Sequence, residues 1–498
     1  VTTKRWLAQR VAAYRAAQIR RIVAHPQRQQ QTLLQKLLRT AAATAFGRDH
    51  GFAAIRTYDD YRRQVPVRDY EAFRPYIDRI VGGQANVLWP GLPLYLAKTS
   101  GTTSGSKYIP ISRQSMPNHV KGARDALLLY IHHTKRSGFL DGKMLFLSGS
   151  PVLETNAAGL KVGRLSGIAN HYVPRYLQRN RVPTFATNSI EDWEAKVAAV
   201  VRETRDTDLR LISGIPPWVR MFLEEAARQT GKRPADLWPN LNLFVQGGVD
   251  YRPYRDVIHA AMGRSLDTVE VFPASEGFIA VQDDPSIDAL LLMLDYGIFF
   301  EFIPLAEHGT PTARRLPLWE VEVGKPYVIL LSTNAGLWAY DIGDVVKFVS
   351  TQPYRLKVTG RSKHFISAFG EHVIEEEVNR AMQAALAATG AQVAEFTVAP
   401  LVAANGHSCH EWYVEFAQAP ADAARFAAVL DDTLRTLNTY YDDLRAGGML
   451  APARLLVLQR DAGRRYMDSI GKLGGQNKFP RLTNTRAVAE GLVPYVMA

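Results

Sequence analysis

The chain has 498 residues, enough for two or more domains with sizeable cores, and 47% hydrophobic with 22% charged residues is the composition of an ordinary globular protein. The 60 Lys and Arg exceed the 48 Asp and Glu to give a net charge of +12, an excess that need not form a nucleic-acid surface over this length and suits a small polyanionic substrate equally well. The single cysteine, Cys409, excludes an internal disulfide and a multi-cysteine metal centre and fits a reducing, cytoplasmic compartment, and no apolar run approaches the roughly 20 residues needed to cross a bilayer.

The first 48 residues carry Lys and Arg but no Asp or Glu, and Leu33, Leu34, Leu37 and Leu38 fall on one helical face. An Arg-rich, acid-poor start resembles a transit peptide, but serine is absent and the leucine face needs a partner, so a folded helical lead-in is expected. Short helices follow around Tyr58-Asp59-Asp60-Tyr61 and from Tyr70 to Ile80, broken by Pro66 and closed by Val81-Gly82-Gly83.

A short apolar run, Leu94-Tyr95-Leu96-Ala97, then enters the polar stretch Lys98-Thr99-Ser100-Gly101-Thr102-Thr103-Ser104-Gly105-Ser106-Lys107 and leaves through Tyr108-Ile109-Pro110-Ile111. This reads as strand, polar turn, cation, strand. Glycines let backbone approach an anion, hydroxyl and N–H groups donate to phosphate oxygens, and Lys107 neutralises charge, so nucleotide phosphate binding is indicated. A Walker A loop is disfavoured, because Gly101 and Gly105 enclose three residues rather than four and Tyr108-Ile109-Pro110 does not open a helix.

Downstream, a helix is expected from Pro117 to Lys135, a strand over Met144–Ser148, a helix from Ile190 to Glu203, a strand over Leu209–Ile212 and a helix from Trp218 to Gln229. Leu241–Gln246, Tyr254–Met262 and Thr268–Phe272 read as a βαβ unit whose loops lie at strand C-termini, where ligands collect in open α/β sheets. From Leu290 to Val349 successive strands, at Phe299–Ile303, Trp319–Val323, Tyr327–Ser332 and Val345–Val349, indicate a β-rich subdomain. The pattern shifts at Ser350-Thr351-Gln352-Pro353, and strands near Phe396 and at Trp412–Phe416 alternate with helices Val373–Ala388 and Ala421–Leu437. The expected fold is therefore α/β, with a large domain over 1–350 and a smaller α+β domain over 351–498. No nucleophile-elbow pattern supports a Ser-His-acid triad.

Three stretches together resemble the signatures of the adenylate-forming superfamily, which includes firefly luciferase and acyl-CoA synthetases. They are Thr99–Lys107, Phe272-Pro273-Ala274-Ser275-Glu276 and Tyr340-Asp341-Ile342-Gly343-Asp344. Tyr108-Ile109-Pro110, Phe46–Phe52, Val65–Glu71 and Ser213–Trp218 narrow the resemblance to the Gretchen Hagen (auxin-responsive) acyl-acid amido synthetases, over nearly the whole chain. The resemblance implies ATP-dependent adenylation of a small carboxylic acid with Mg²⁺, then transfer of the acyl group to an amine, commonly an amino acid. Coenzyme A is the alternative acceptor, and a non-catalytic nucleotide-binding protein is the alternative from another class. No nucleic-acid or membrane partner is expected, and the chain is expected to be a monomer or weak homodimer.

By the same resemblance, Ser100, Gly101, Thr102, Thr103 and Lys107 would contact phosphates, and Glu276 would hold Mg²⁺ in the catalytic centre. Phe272 and Ser275 would lie near adenine or phosphate, Tyr340 would touch the nucleotide, and Asp344 and Arg361 would meet the ribose. The family carries arginine where Asp341 stands. Lys478, in the segment Gly471–Arg481, would swing to the α-phosphate, with Lys472 as its rival, on a mobile C-terminal domain. The acyl pocket would be walled by helix 117–135, by the segments around Leu147 and Val173–Leu177, and by Trp218–Phe222, which leaves open aryl, indolyl, jasmonate-like and fatty acids.

Overall fold

The acid-free N-terminus finds its counter-charges far along the chain. In a computed structural model, which describes residues 3–102, 105–172, 178–248, 251, 254–361, 365–371, 373–403, 407–470 and 479–497, the first residues form the helices Thr3–Val23 and Pro26–Ala41. Ala12, Ala16 and Ile19 of the first pack with Ala126, Leu129 and Tyr130 of helix Met116–Thr134. Between them Arg15, 7% exposed, is bound by Asp125 at 2.7 Å and Asp295 at 2.8 Å. The leucine face of the second helix is buried through Leu34, Leu37 and Leu38, and its Gln30 amide bonds the backbone of Ile298 and Phe300. This is the folded lead-in that the leucine pattern requires.

The helices Tyr58–Gln64 and Tyr70–Val81 are both started by side-chain caps, a Thr57/Asp60 capping box and Asp69 respectively. After them come the hairpin β1 (Tyr95–Thr102) and β2 (Gly105–Ile111), helix Met116–Thr134, β3 (Lys143–Phe146), β4 (Glu154–Thr155), β5 (Lys161–Gly163) and β6 (Arg181–Val182). Helix Trp193–Thr204, capped by Asp192, leads to β7 (Leu209–Ser213), helix Pro216–Thr230 to β8 (Leu243–Gly247), and helix Arg255–Met262 to β9 (Asp267–Ala274). Strands then follow one another: β10 (Gly277–Val281), β11 (Leu290–Leu292), β12 (Ile298–Pro304), β13 (Leu316–Pro317), β14 (Pro326–Thr333), β15 (Tyr340–Thr351) and β16 (Tyr354–Arg361). The C-terminal part holds β17 (Phe365–Ile366), β18 (Val373–Ile374), helix Glu375–Thr389, β19 (Gln392–Leu401), β20 (Cys409–Gln418), helices Ala423–Leu437 and Thr439–Ala446, and β21 (Arg454–Leu458).

Twelve strands form one mixed sheet in the order β13-β12-β14-β15-β16-β11-β10-β9-β8-β7-β3-β6. From β9 to β6 neighbours are parallel, as the crossover helices dictate; from β9 to β13 they are antiparallel. The β-rich region is thus the antiparallel half of the same sheet. That half curls back, because Gly277 of β10 packs against Ile298 of β12, five positions along the order, and a Cβ at Gly277 would lie 2.6 Å from the Ile298 Cδ1 atom. The hairpin belongs to a second sheet, β2-β1-β5-β4, and β19-β20-β21 form a third.

One expectation is corrected. Trp319–Val323 is not a strand: Leu318–Glu320 is a single 3₁₀ turn, and Val323, 54% exposed and followed by Gly324 at φ 84°, has no face to bury. Residues 350–353 do not interrupt the sheet but turn β15 into β16, which pair from Asp344–Arg361 to Thr351–Tyr354. One apolar core then joins Leu145, Ile212 and Phe244 of the parallel strands with Ile366, Val398 and Trp412 of the C-terminal part.

A buried ion pair ties the Tyr58–Gln64 helix to the sheet. Glu301 of β12, fully buried, accepts from Arg315 at 2.6 Å and from the Tyr58 hydroxyl at 3.0 Å, while Arg315 also donates to the Val65 carbonyl. This fixes the chain just before Arg68-Asp69-Tyr70. Removing one partner of such a pair strands the other charge, so Glu301→Gln is expected to lower unfolding free energy by about 3–5 kcal/mol in denaturant titration, and a loss within about 1 kcal/mol would contradict it.

Candidate active site

The polar signature is a hairpin whose strands run into the polar stretch rather than flanking it, β1 reaching Thr102 and β2 starting at Gly105. Thr99 stands opposite Lys107 and Thr102 opposite Gly105, with a register irregularity between Thr99 and Thr102. Ser100, Gly101 and Thr102 are backbone of β1, and Thr103 lies outside the described residues. The hairpin is seated on Tyr70, whose hydroxyl accepts the Tyr108 N–H at 2.9 Å and whose ring lies 5.6 Å from the Lys107 ammonium. Sequence reasoning passed over Tyr70, although it lies in the Val65–Glu71 stretch that carried part of the resemblance.

The second signature is the reversal point of the central sheet. Ala274 pairs with Gly277, so Ser275 and Glu276 are the two-residue turn between the last parallel strand and the first returning one, with Phe272 half-buried on β9 beneath it. A β-strand end at this topological position is where ligands of open α/β sheets bind.

The third signature opens β15. Its backbone is clamped by Arg68, whose N–H donates to Ala339 at 3.2 Å and whose carbonyl accepts from Asp341 at 2.9 Å. The clamp holds Tyr340 within the electrostatic influence of Glu276 and of Tyr70, the seat of the hairpin. The Tyr340 ring is 1% exposed and packs edge-on to Phe73, and its hydroxyl is buried with no hydrogen-bond partner. Burial first, then the nearby charges of Glu276, Tyr70, Asp341 and Asp69, push this phenol well above its usual range, so it remains a proton donor. Four positions separate β15 from β9 in the sheet, and the curl of the antiparallel half removes that distance.

Asp341 takes the position of the family's arginine and does structural work. Its carboxylate lies 2.8 Å from the His308 Nε2 atom and accepts the Gly343 N–H at 2.7 Å. Gly343, at φ 81°, adopts the left-handed backbone of a bulge between the Leu330–Asp341 and Val328–Val345 pairs. The bulge delivers Asp344, 7% exposed, opposite Arg361 at the end of β16. Lys478, Lys472 and Val173–Leu177 lie outside the described residues.

The donor set suits a nucleotide and a magnesium ion. A buried, protonated hydroxyl without an acceptor fits an anionic ligand, and Glu276 offers one carboxylate beside it. Among the described residues no three His, Cys, Asp or Glu side chains form a self-contained metal cage.

Comparison with known proteins follows the same geometry. Residues 15–198, 291–361 and 376–487 match the GH3 family N-terminal, central and C-terminal domains. Indole-3-acetic acid-amido synthetase GH3.10 of Arabidopsis thaliana is 27% identical, over 88% of this chain and 89% of its own length. Jasmonoyl-L-amino acid synthetase GH3.5 of Oryza sativa subsp. japonica is 24% identical over 92% of each. In fold the chain is similar to the GH3.15 acyl acid amido synthetase, with a TM-score of 0.62 at 17% identity over 97% and 96% of the two chains. It is also similar to 2-hydroxyisobutyryl-CoA ligase in complex with 2-HIB-AMP and CoA, with a TM-score of 0.59 at 15% identity over 93% and 90%. With three consecutive family domains matched across most of its length, the chain belongs to the GH3 family.

Proposed function

We propose that this protein is a ligase that activates a small carboxylic acid as its acyl adenylate and passes the acyl group to the amine of an amino acid. The observation that carries this reading is the buried, unpartnered Tyr340 hydroxyl of the third signature, within the electrostatic influence of Glu276 of the second and of Tyr70, on which the hairpin of the first is seated. The GH3.10 relative, named an amido synthetase, and the jasmonoyl relative, named an L-amino acid synthetase, support the amide outcome over the thioester.

In the first half-reaction a carboxylate oxygen bonds to the α-phosphorus of ATP and the bond to pyrophosphate breaks. In the second the amine nitrogen bonds to the acyl carbon, AMP leaves and the amine proton passes to solvent. The first step brings two anions together. The β1–β2 hairpin and Lys107 hold the departing phosphates, Glu276 holds the metal, and Tyr340 donates to the nucleotide. Phe272 and Ser275 flank the base, and Asp344 with Arg361 orients the ribose. Mg²⁺, when bound, spreads phosphate charge so that a second anion can approach. Lys478 aims a cation at the α-phosphate during attack, and the C-terminal unit that carries it, beginning beyond β16, withdraws it for the second step.

Three measurements test this. Incubation with ATP, Mg²⁺ and panels of acids and amino acids is expected to yield amide, AMP and pyrophosphate in equal amounts; ADP with phosphate as products, or thioester with coenzyme A and no amide, would overturn the reading. Tyr340→Phe removes a buried hydroxyl that lacks a partner, so its denaturation midpoint is expected to be equal or higher, while ATP affinity falls about tenfold or more. Destabilisation with unchanged ATP affinity would assign the hydroxyl to packing instead. Lys478→Ala is expected to slow single-turnover adenylation about a hundredfold, or about 3 kcal/mol, with little change in ATP affinity, and an unchanged rate would move the role away from Lys478.

A further inference from the structure

A second group of unanswered donors lies beyond β3, away from the nucleotide signatures. Lys196, in the first turns of helix Trp193–Thr204, is 3% exposed, and its ammonium donates to the Ser148 carbonyl at 2.9 Å and stands 5.5 Å from the Trp193 ring centroid. Among the described residues no carboxylate pairs with it. Ser148 does not relieve the charge, since its hydroxyl is occupied by the side-chain amides of Asn170 and Asn188, each at 3.1 Å. Trp193 is packed 4.4 Å, centroid to centroid, from Trp218, and both indole N–H groups are buried without an acceptor. Arg164 is a further cation close by. It is paired with Asp443 and lies 4.9 Å from the Tyr440 ring, both on helix Thr439–Ala446. Burial, with Arg164 adding, pushes Lys196 down to about 8.

An uncompensated ammonium and two unpaired indole donors in a buried setting cost free energy in the folded chain unless an anion answers them. The Lys196 ammonium and both indole N–H groups are donors, and among the described residues the cluster also holds one unanswered acceptor, the Asn188 Oδ1 atom. The place is also apt: Ser148 follows the C-terminal end of β3, and Trp218 opens the helix that follows β7, on the side of the sheet where the acyl group must arrive. The cover comes from the C-terminal part, through Asp443 and Tyr440 on Arg164 and through Gly447 against Trp193.

We infer that Lys196, with the Trp193 and Trp218 indoles, is the recognition site for the carboxylate of the amino-acid acceptor, and that Arg164 exchanges Asp443 for that carboxylate when the C-terminal part moves. The inference rests on the amide-forming reading and names what selects the acceptor: a free carboxylate on the carbon that bears the attacking amine. Lys196 acts here as a binding group and takes no part in bond making.

The test compares each acceptor amino acid with the amine that lacks its carboxylate, in wild type, Lys196→Met and Trp193→Phe. Wild type is expected to favour the amino acid, with a KM at least about tenfold lower than for the amine. Lys196→Met is expected to raise the amino-acid KM about tenfold or more without altering the amine KM, and Trp193→Phe to do the same to a smaller degree. Equal use of the two acceptors by wild type, or a loss in Lys196→Met that falls alike on both, overturns the inference. A rise in KM for the carboxylic acid, measured by ATP–pyrophosphate exchange without acceptor, overturns it as well by assigning the cluster to the first substrate. Absence of acid-dependent exchange in wild type is a different failure, that of the ligase reading itself.

Discussion

The reversal and curl of the central sheet is the constraint on which the rest of the molecule depends. Parallel strands β7 to β9 require crossover helices and leave their loops at one edge, and β10 returns from that edge in only two residues, so Glu276 has nowhere else to be. The antiparallel strands then bend until β12 touches Gly277 and β15 brings Tyr340 within the influence of Glu276. A flat sheet of the same order would hold the second and third signatures four strands apart. The N-terminal layer locks the bend: the Glu301–Arg315 pair fixes the chain before residue 66, and the backbone of Arg68 clips onto β15.

The energetic mark of the site is polarity left unanswered inside a well-packed region. Phe46, Phe73 and Trp338 form a stacked aromatic block under the Arg68 clamp, of the kind that makes a core rigid, yet the Tyr340 hydroxyl at its edge has no partner. A phenylalanine would fill the same space without that cost. The unpartnered hydroxyl is therefore open to a ligand, and the Trp193 and Trp218 indoles share that state, whereas the buried charges of Arg15, Glu301 and Arg315 are all paired.

Much of this was legible in the chain because the signatures are local. The hairpin needed only a Ser, Thr and Gly run between β-branched stretches, and the βαβ order needed only alternating periods of two and 3.6. The leucine face of the second helix announced a buried helix. What escaped the sequence depends on contacts between distant segments. Tyr70 matters because it lies beneath β2, Asp341 because His308 meets it, and Lys196 because Ser148 and the C-terminal part enclose it. Trp319–Val323 alternates like a strand, but no neighbouring strand receives it, and the shift in pattern at residues 350–353 marks a tight turn within a hairpin rather than the end of the sheet.

The chemistry proposed for the three signatures is formation of an acyl adenylate. ATP–pyrophosphate exchange measured with Mg²⁺ across a broad panel of carboxylic acids, with no amine or thiol present, tests it most directly. Exchange driven by one chemical class of acid and absent without it is the predicted result. Tight ATP binding with no exchange across the panel would contradict it, and would leave a nucleotide-binding protein that keeps the fold without its chemistry.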